Sequence, residues 1–109
     1  MTDPNQFPGN RTVTVGGNES ITIGGGRTES IGEGVVTHIA KQQHVTVGKK
    51  LLLVAGDEIE LRAGNASLVM KKDGTIVLKG SNITIEGMGT INIKSSRDIV
   101  LKGSKVLQN

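Results

Sequence analysis

The sequence predicts an all-β fold in which three copies intertwine as a trimeric, triple-stranded β-helix (a β-prism) built from octad repeats. The first observation is a pair of aliphatic residues separated by one residue, which recurs every eight positions along most of the chain. The second is that Gly, Asn and Asp fill the breaks between the pairs, where a sharp corner needs them. The third is composition, because 35% hydrophobic residues and one aromatic, Phe7, cannot build a conventional globular core.

The octads begin at Val13/Val15 and keep a spacing of eight as far as Leu61/Ala63. One residue is dropped before Leu68/Met70, and another before Ile83/Ile85. Alternation places both aliphatic side chains of a pair on one face of a strand, so we expect them to line the lumen of the trimer. The predicted trimer core is Val13, Val15, Ile21, Ile23, Ile31, Ile39, Val45, Val47, Leu53, Leu61, Leu68, Met70, Ile76, Leu78, Ile83, Ile85, Ile91, Ile93, Ile99 and Leu101.

The length of the unit is the reason for predicting three chains. An octad leaves about five residues of strand, roughly 17 Å, and only two inward side chains, which is too little for one chain to close a lumen. Three chains wound about one axis supply the remaining walls and pair the strand edges that would otherwise be free. We therefore expect a linker or leader at 1–10, the octad-repeat β-helix at 11–103 and a C-terminal tip edge at 104–109.

Two inward positions carry polar residues, Glu29 and Thr37. The Thr37 hydroxyl can donate to a backbone carbonyl. Three Glu29 carboxylates near the axis would be costly unless they are compensated. Either the strand is distorted so that Glu29 points outward, or a cation, water or Arg27 compensates its charge.

Catalytic and metal-binding patterns are not found in the sequence. The chain contains no cysteine, and it has no HExxH motif, P-loop or serine nucleophile elbow. His38 and His44 fall outside the inward row, which favours a structural or solvated role over a metal site. Glu58 and Glu60 share one strand face, but the predicted surface has no cleft for a sugar. We predict no enzyme activity, no cofactor and no metal.

Charge and targeting signals narrow the function classes further. Residues 1–48 carry three basic and four acidic side chains, and residues 49–109 carry ten basic and six acidic ones. The basic residues are scattered without aromatic partners, which disfavours a nucleic-acid partner. The N-terminus lacks the basic and apolar regions of a secretory signal peptide. The strand pattern continues through residues 104–109 and then stops without a capping segment, which predicts a partner that covers that end.

Several segments resemble one known family. The octads VTVGGNES, ITIGGGRT and VTVGKKLL precede GDEIELRAGNASLVMKKDGTIVLKGSNITIEG and a GSKVLQN ending. Together they resemble the C-terminal β-helix of VgrG, the trimeric spike of bacterial type VI secretion. They are also similar to the needle of the central spike in contractile phage tails. The resemblance covers about residues 11–109, and the second-half segment is its more specific part.

The resemblance implies a mechanical role without catalytic residues. A rigid homotrimeric needle is assembled in the bacterial cytoplasm and driven through a target membrane by sheath contraction, carrying secreted effectors out of the cell or into the target cell. A PAAR-repeat protein caps the C-terminal end of such needles. On this chain the tip-protein contact would fall on Lys105, Val106, Leu107, Gln108 and Asn109, with Val100 and Leu101 beneath them. The alternative function is an adhesive or carbohydrate-binding segment of a phage tail fibre.

Overall fold

The computed structural model describes residues 6–109, which include strands and no helix, and this confirms the all-β prediction. No segment in this range forms a helix that could cross a membrane. Of the predicted leader at 1–10, residues 1–5 lie outside the described part. The chain divides into two units, residues 1–45 and 46–109.

A three-stranded antiparallel sheet, which we call the meander, lies in the second unit. Its strands are β1 (Glu58–Ala63), β2 (Ala66–Lys71) and β3 (Ile76–Lys79), hydrogen-bonded in the order β1-β2-β3. Leu68 in the central strand lies opposite Leu61 on one side and Leu78 on the other. All three strands are consecutive in one chain, so the sheet needs only two short turns.

The first turn is a two-residue hairpin loop formed by Gly64 and Asn65. Gly64 has a φ of 55°, and no non-glycine residue in the described chain has a positive φ. A positive φ at the first central position only is the geometry of a type II′ turn, whose twist matches that of the flanking strands. Glycine is therefore required at position 64, because a side chain is strained in this conformation.

The second turn spans 72–74 and is closed by backbone hydrogen bonds at both ends. The Gly74 N–H donates to the Lys71 carbonyl, and the Lys71 N–H donates to the Thr75 carbonyl, each at 3.0 Å. Gly74 has a φ of 92°, as expected where a three-residue loop ends in a left-handed residue. The Asp73 Oδ1 accepts from the Thr75 N–H at 2.9 Å, so the side chain braces the turn.

The octads outside the meander form no strand in the described chain, but their conformation repeats. Before the meander, first-slot residues such as Val13 and Ile21 are 60–64% exposed, whereas second-slot residues such as Val15 and Ile23 are 46–48% exposed. The same second-slot value returns at Val47, at the start of the second unit. The eight-residue period is thus a local conformational repeat as well as a sequence pattern.

The order of exposure reverses after the meander. Ile83 and Ile91, in the first slot, are 51% and 48% exposed, whereas the second-slot isoleucines are about 70% exposed. A Cβ added to Gly80 would lie 3.5 Å from Ile83 Cγ1, and one added to Gly87 would lie 2.9 Å from Ile91 Cγ1. The first-slot side chains therefore pack over glycine backbone, which shields them.

The meander differs from the sequence-based prediction in one respect. The pairs 61/63, 68/70 and 76/78 were expected to form successive walls of a prism, paired between chains. In the structure they pair antiparallel within one chain. The reason is turn chemistry: Gly64-Asn65 is a two-residue hairpin sequence, and the shortened spacing of seven places Leu61 opposite Leu68. Intertwining of three chains stays a prediction.

Candidate assembly interface

The meander has one apolar and one charged face. Cross-strand partners point to the same side of an antiparallel sheet, and successive residues alternate. One side, which we call the apolar face, carries only aliphatic, alanine and methionine side chains: Ile59, Leu61, Ala63, Ala66, Leu68, Met70, Ile76 and Leu78. The other side, the charged face, carries Glu58, Glu60, Arg62, Ser67, Val69, Lys71, Val77 and Lys79. Such a division is typical of a sheet that packs on one side and meets water on the other.

Two ion pairs and a braced turn accompany this sheet: Glu60–Arg62 lies on the charged face, whereas Asp57–Lys72 continues the alternation of the apolar face beyond the strand ends. Arg62 pairs with Glu60 two residues earlier on β1. Lys72 Nζ lies 3.3 Å from Asp57 Oδ1, and the Lys72 N–H also donates to the Asp57 carbonyl at 3.0 Å, which extends the β1–β2 pairing. The pKa of Asp73 is lowered because its carboxylate accepts hydrogen bonds from the Thr75 backbone and hydroxyl.

The predicted core residues are largely uncovered in the single chain. Leu68 is half-buried, and the others are between 37% (Met70) and 73% (Leu101) exposed. No described residue is buried. The aliphatic side chains predicted to face inward are thus exposed, and within the described residues this chain supplies no cover of its own for them.

The solvent-accessible surface area of the single chain shows how much burial it lacks. The chain exposes 12,050 Å². A compact monomer of 11.4 kDa is expected to expose about 5,800 Å², and its unfolded chain about 16,500 Å². The excess of about 6,000 Å² is as large as the area buried in obligate assemblies. A lone copy therefore lacks most of the burial that stabilises a folded domain.

The polar residues of the predicted inward row are exposed in the structure. Arg27 Nη2 lies 3.6 Å from Glu29 Oε2, which matches the alternative in which Arg27 compensates the carboxylate. Both side chains are well exposed. Thr37 and His38 are exposed, as is His44. Across residues 6–109, His, Asp and Glu side chains do not gather in groups of three that could hold a metal ion.

The predicted tip residues are exposed and outside any strand. Residues 104–109 were expected to continue the strand pattern, but within a single chain they have no ladder partner. Val106 is 62% exposed and Leu107 is 88% exposed. These two aliphatic side chains are the apolar part of the predicted contact with a tip protein.

Comparison with known families supports the repeat. Residues 9–32 match the family model of the Gp5 C-terminal repeat in three copies. These 24 residues give eight residues per copy, which is the period found in the sequence and in the exposure pattern. No curated protein matches the chain. The matched segment lies among the leading octads, so the resemblance of the second half to VgrG stays a prediction. The first octads are therefore similar to the repeat of a phage-tail-spike-like β-helix.

Sequence reasoning missed two residues of the apolar face, namely Ile59 and Ala66. Ile59 falls between octad pairs, and Ala66 follows the hairpin turn directly. The signal that could have found them was the Gly-Asn dipeptide between two six-residue segments of strand character. It indicates a hairpin, and the hairpin register then assigns every side chain in both strands to a face.

Proposed function

We propose that this chain forms the homotrimeric, non-enzymatic needle of a VgrG-like type VI secretion spike. The observation that carries the proposal is the Gp5 C-terminal repeat at residues 9–32, combined with an uncovered aliphatic row that continues to Leu101. A needle of this kind needs lateral rigidity and no catalytic centre. Three intertwined chains supply it, because interchain ladders would satisfy the backbone groups while the aliphatic rows close the lumen.

The mechanism follows from the way the repeat distributes polarity. Most octads place two aliphatic side chains inward, and the leading octads carry polar residues such as Thr14 and Thr22 outward. The outer surface of the leading octads is then hydrophilic, and the cohesive energy is concentrated on the axis. Such a shaft can be pushed through a membrane by an external force without exposing its core. We propose that it is assembled in the bacterial cytoplasm and delivered out of the cell or into a target cell with its effectors.

The tip contact is part of the same proposal. Lys105, Val106, Leu107, Gln108 and Asn109 would form the surface on which a PAAR-repeat protein docks. The support is the exposure of Val106 and Leu107 at this end of the chain, which amounts to six exposed aliphatic side chains in a trimer. An apolar patch of this kind, rimmed by Lys105 and Asn109, is typical of a protein-binding surface.

A pulldown with a PAAR-repeat protein, run beside a glycan array, tests the function. We expect the trimer to retain the PAAR protein and to bind no sugar. Leu107→Asp should abolish retention, whereas Thr22→Asp, on the outer face of a distant octad, should leave it unchanged. Sugar binding without PAAR binding would overturn the proposal in favour of the adhesive fibre segment.

A further inference from the structure

The repeat that builds the shaft leaves its register poorly determined. Moving one chain along its helical path by one octad returns aliphatic residues to aliphatic positions at most inward slots, with Glu29 and Thr37 as the exceptions before the meander. Register is weakly specified in glycine-rich strands, and only a break in the pattern can fix it. An assembly made of octads alone would therefore tolerate chains that are offset by eight residues.

The meander is the one segment of the described chain that does not repeat. Both one-residue deletions in the octad spacing lie at its turns or border, between Leu61 and Leu68 and between Ile76 and Ile83. It is also the segment whose backbone ladder is satisfied within one chain. It can therefore form before assembly, whereas the octads depend on partners for their ladders.

We propose that the apolar face packs against the same face of two further copies about the three-fold axis, and that this contact sets the register of the octads. The proposal rests on the trimer of the proposed function and assigns the meander a separate task within it. Because the meander cannot slip by eight residues without losing its partner faces, an offset chain would leave three apolar faces uncovered.

Two observations favour copies of this chain over a foreign protein as the occupant. The first is size: eight residues on one face are far fewer than the roughly 20–30 residues a side of a stable two-protein interface. Such a patch is sufficient only as part of a longer contact. The second is continuity, because the aliphatic row runs from Leu53 into the meander and resumes at Ile83. A contact between copies along that row includes the apolar face without a new partner.

The central strand offers a matched pair of positions for the test. Leu68 and Val69 are adjacent, both half-buried, and point to opposite faces. In a lone chain their substitution should have similar effects. In the proposed trimer only Leu68 becomes fully covered, so a difference between Leu68→Asp and Val69→Asp reports the contact between copies.

Register can be read with a nitroxide label, because the chain has no native cysteine. We place the label at Thr22→Cys and measure interchain distances by pulsed electron resonance. The wild-type background and Val69→Asp should give one narrow distance. Leu68→Asp should give several distances, with offsets in axial steps of about 4.7 Å per octad, and Leu68→Met should restore the single distance.

Each outcome decides between separate claims. A Leu68→Asp trimer with the same single distance would overturn the register role, and equal damage from Val69→Asp would overturn the assignment of faces. If Leu68→Asp prevents assembly while Val69→Asp does not, packing of the apolar face is supported, and Leu68→Ala then carries the register measurement. A monomeric wild type contradicts the proposed function itself, which is a distinguishable result.

Discussion

Replacing Ile85 by Asp tests the inward row at one of its most exposed positions in the single chain. Ile85 is 70% exposed in the lone chain, so an aspartate there costs almost nothing without partners. In the trimer three side chains lose their apolar burial, at about 2 kcal/mol each, or about 6 kcal/mol in all. This alone lowers the assembly constant by about four orders of magnitude. Desolvation of three nearby carboxylates adds several kcal/mol for each of them.

The assay is light scattering coupled to size exclusion, followed by a thermal melt of the same sample. We expect Ile85→Asp to elute as monomer at micromolar concentration with no cooperative transition. Thr84→Asp, one residue away on the outer face of the same octad, is the control and should remain trimeric. A trimeric Ile85→Asp with an unchanged melting temperature would show that the row from Val13 to Leu101 does not face the axis.

Three further predictions concern the turns. Gly64→Ala should destabilise the protein by about 1–2 kcal/mol per chain in a thermal melt, because its φ is left-handed, whereas Gly56→Ala should be close to neutral. The lowered pKa of Asp73 contributes stability that is present above the unfolded value of about 3.9 and is lost as pH falls through the folded pKa. Asp73→Ala should therefore melt lower than wild type at pH 7, and the difference in melting temperature should begin to narrow as the pH falls below about 4. A difference that does not depend on pH would refute this. Gly87→Ala should cost about 1 kcal/mol, since its Cβ would press on the isoleucine four residues on, whereas Gly89→Ala has open space and should not.

The parts of the fold that follow from side-chain alternation could be predicted from the sequence. The octad period, the all-β class and the sharing of one face by Leu61 and Leu68 all depend on residue type and spacing. The meander could not be predicted from periodicity alone. A strand that forms one wall of a β-prism and a strand of a hairpin show the same alternation of apolar and polar residues over six positions. Turn chemistry at Gly64 decides between them, and it acts over two residues only.

For the candidate interface too, some features could be predicted from the sequence and others could not. The aliphatic row was identified because burial requires it, and the structure leaves that row uncovered in one chain. Arg27 lies within reach of Glu29 in the single chain, which a sequence alone does not fix, and the outward and ion-compensated alternatives for Glu29 stay predictions about the trimer. Contacts at Lys105 to Asn109 depend on a second protein, so neither the pattern nor the fold of this chain determines them.

The molar mass of the protein in solution tests directly whether the chain folds only as a trimer. Static light scattering on purified chain should return three times 11.4 kDa, about 34 kDa, across a wide range of concentrations. A cooperatively folded particle of 11.4 kDa would mean that one copy covers its own aliphatic side chains, which contradicts the assembly described above.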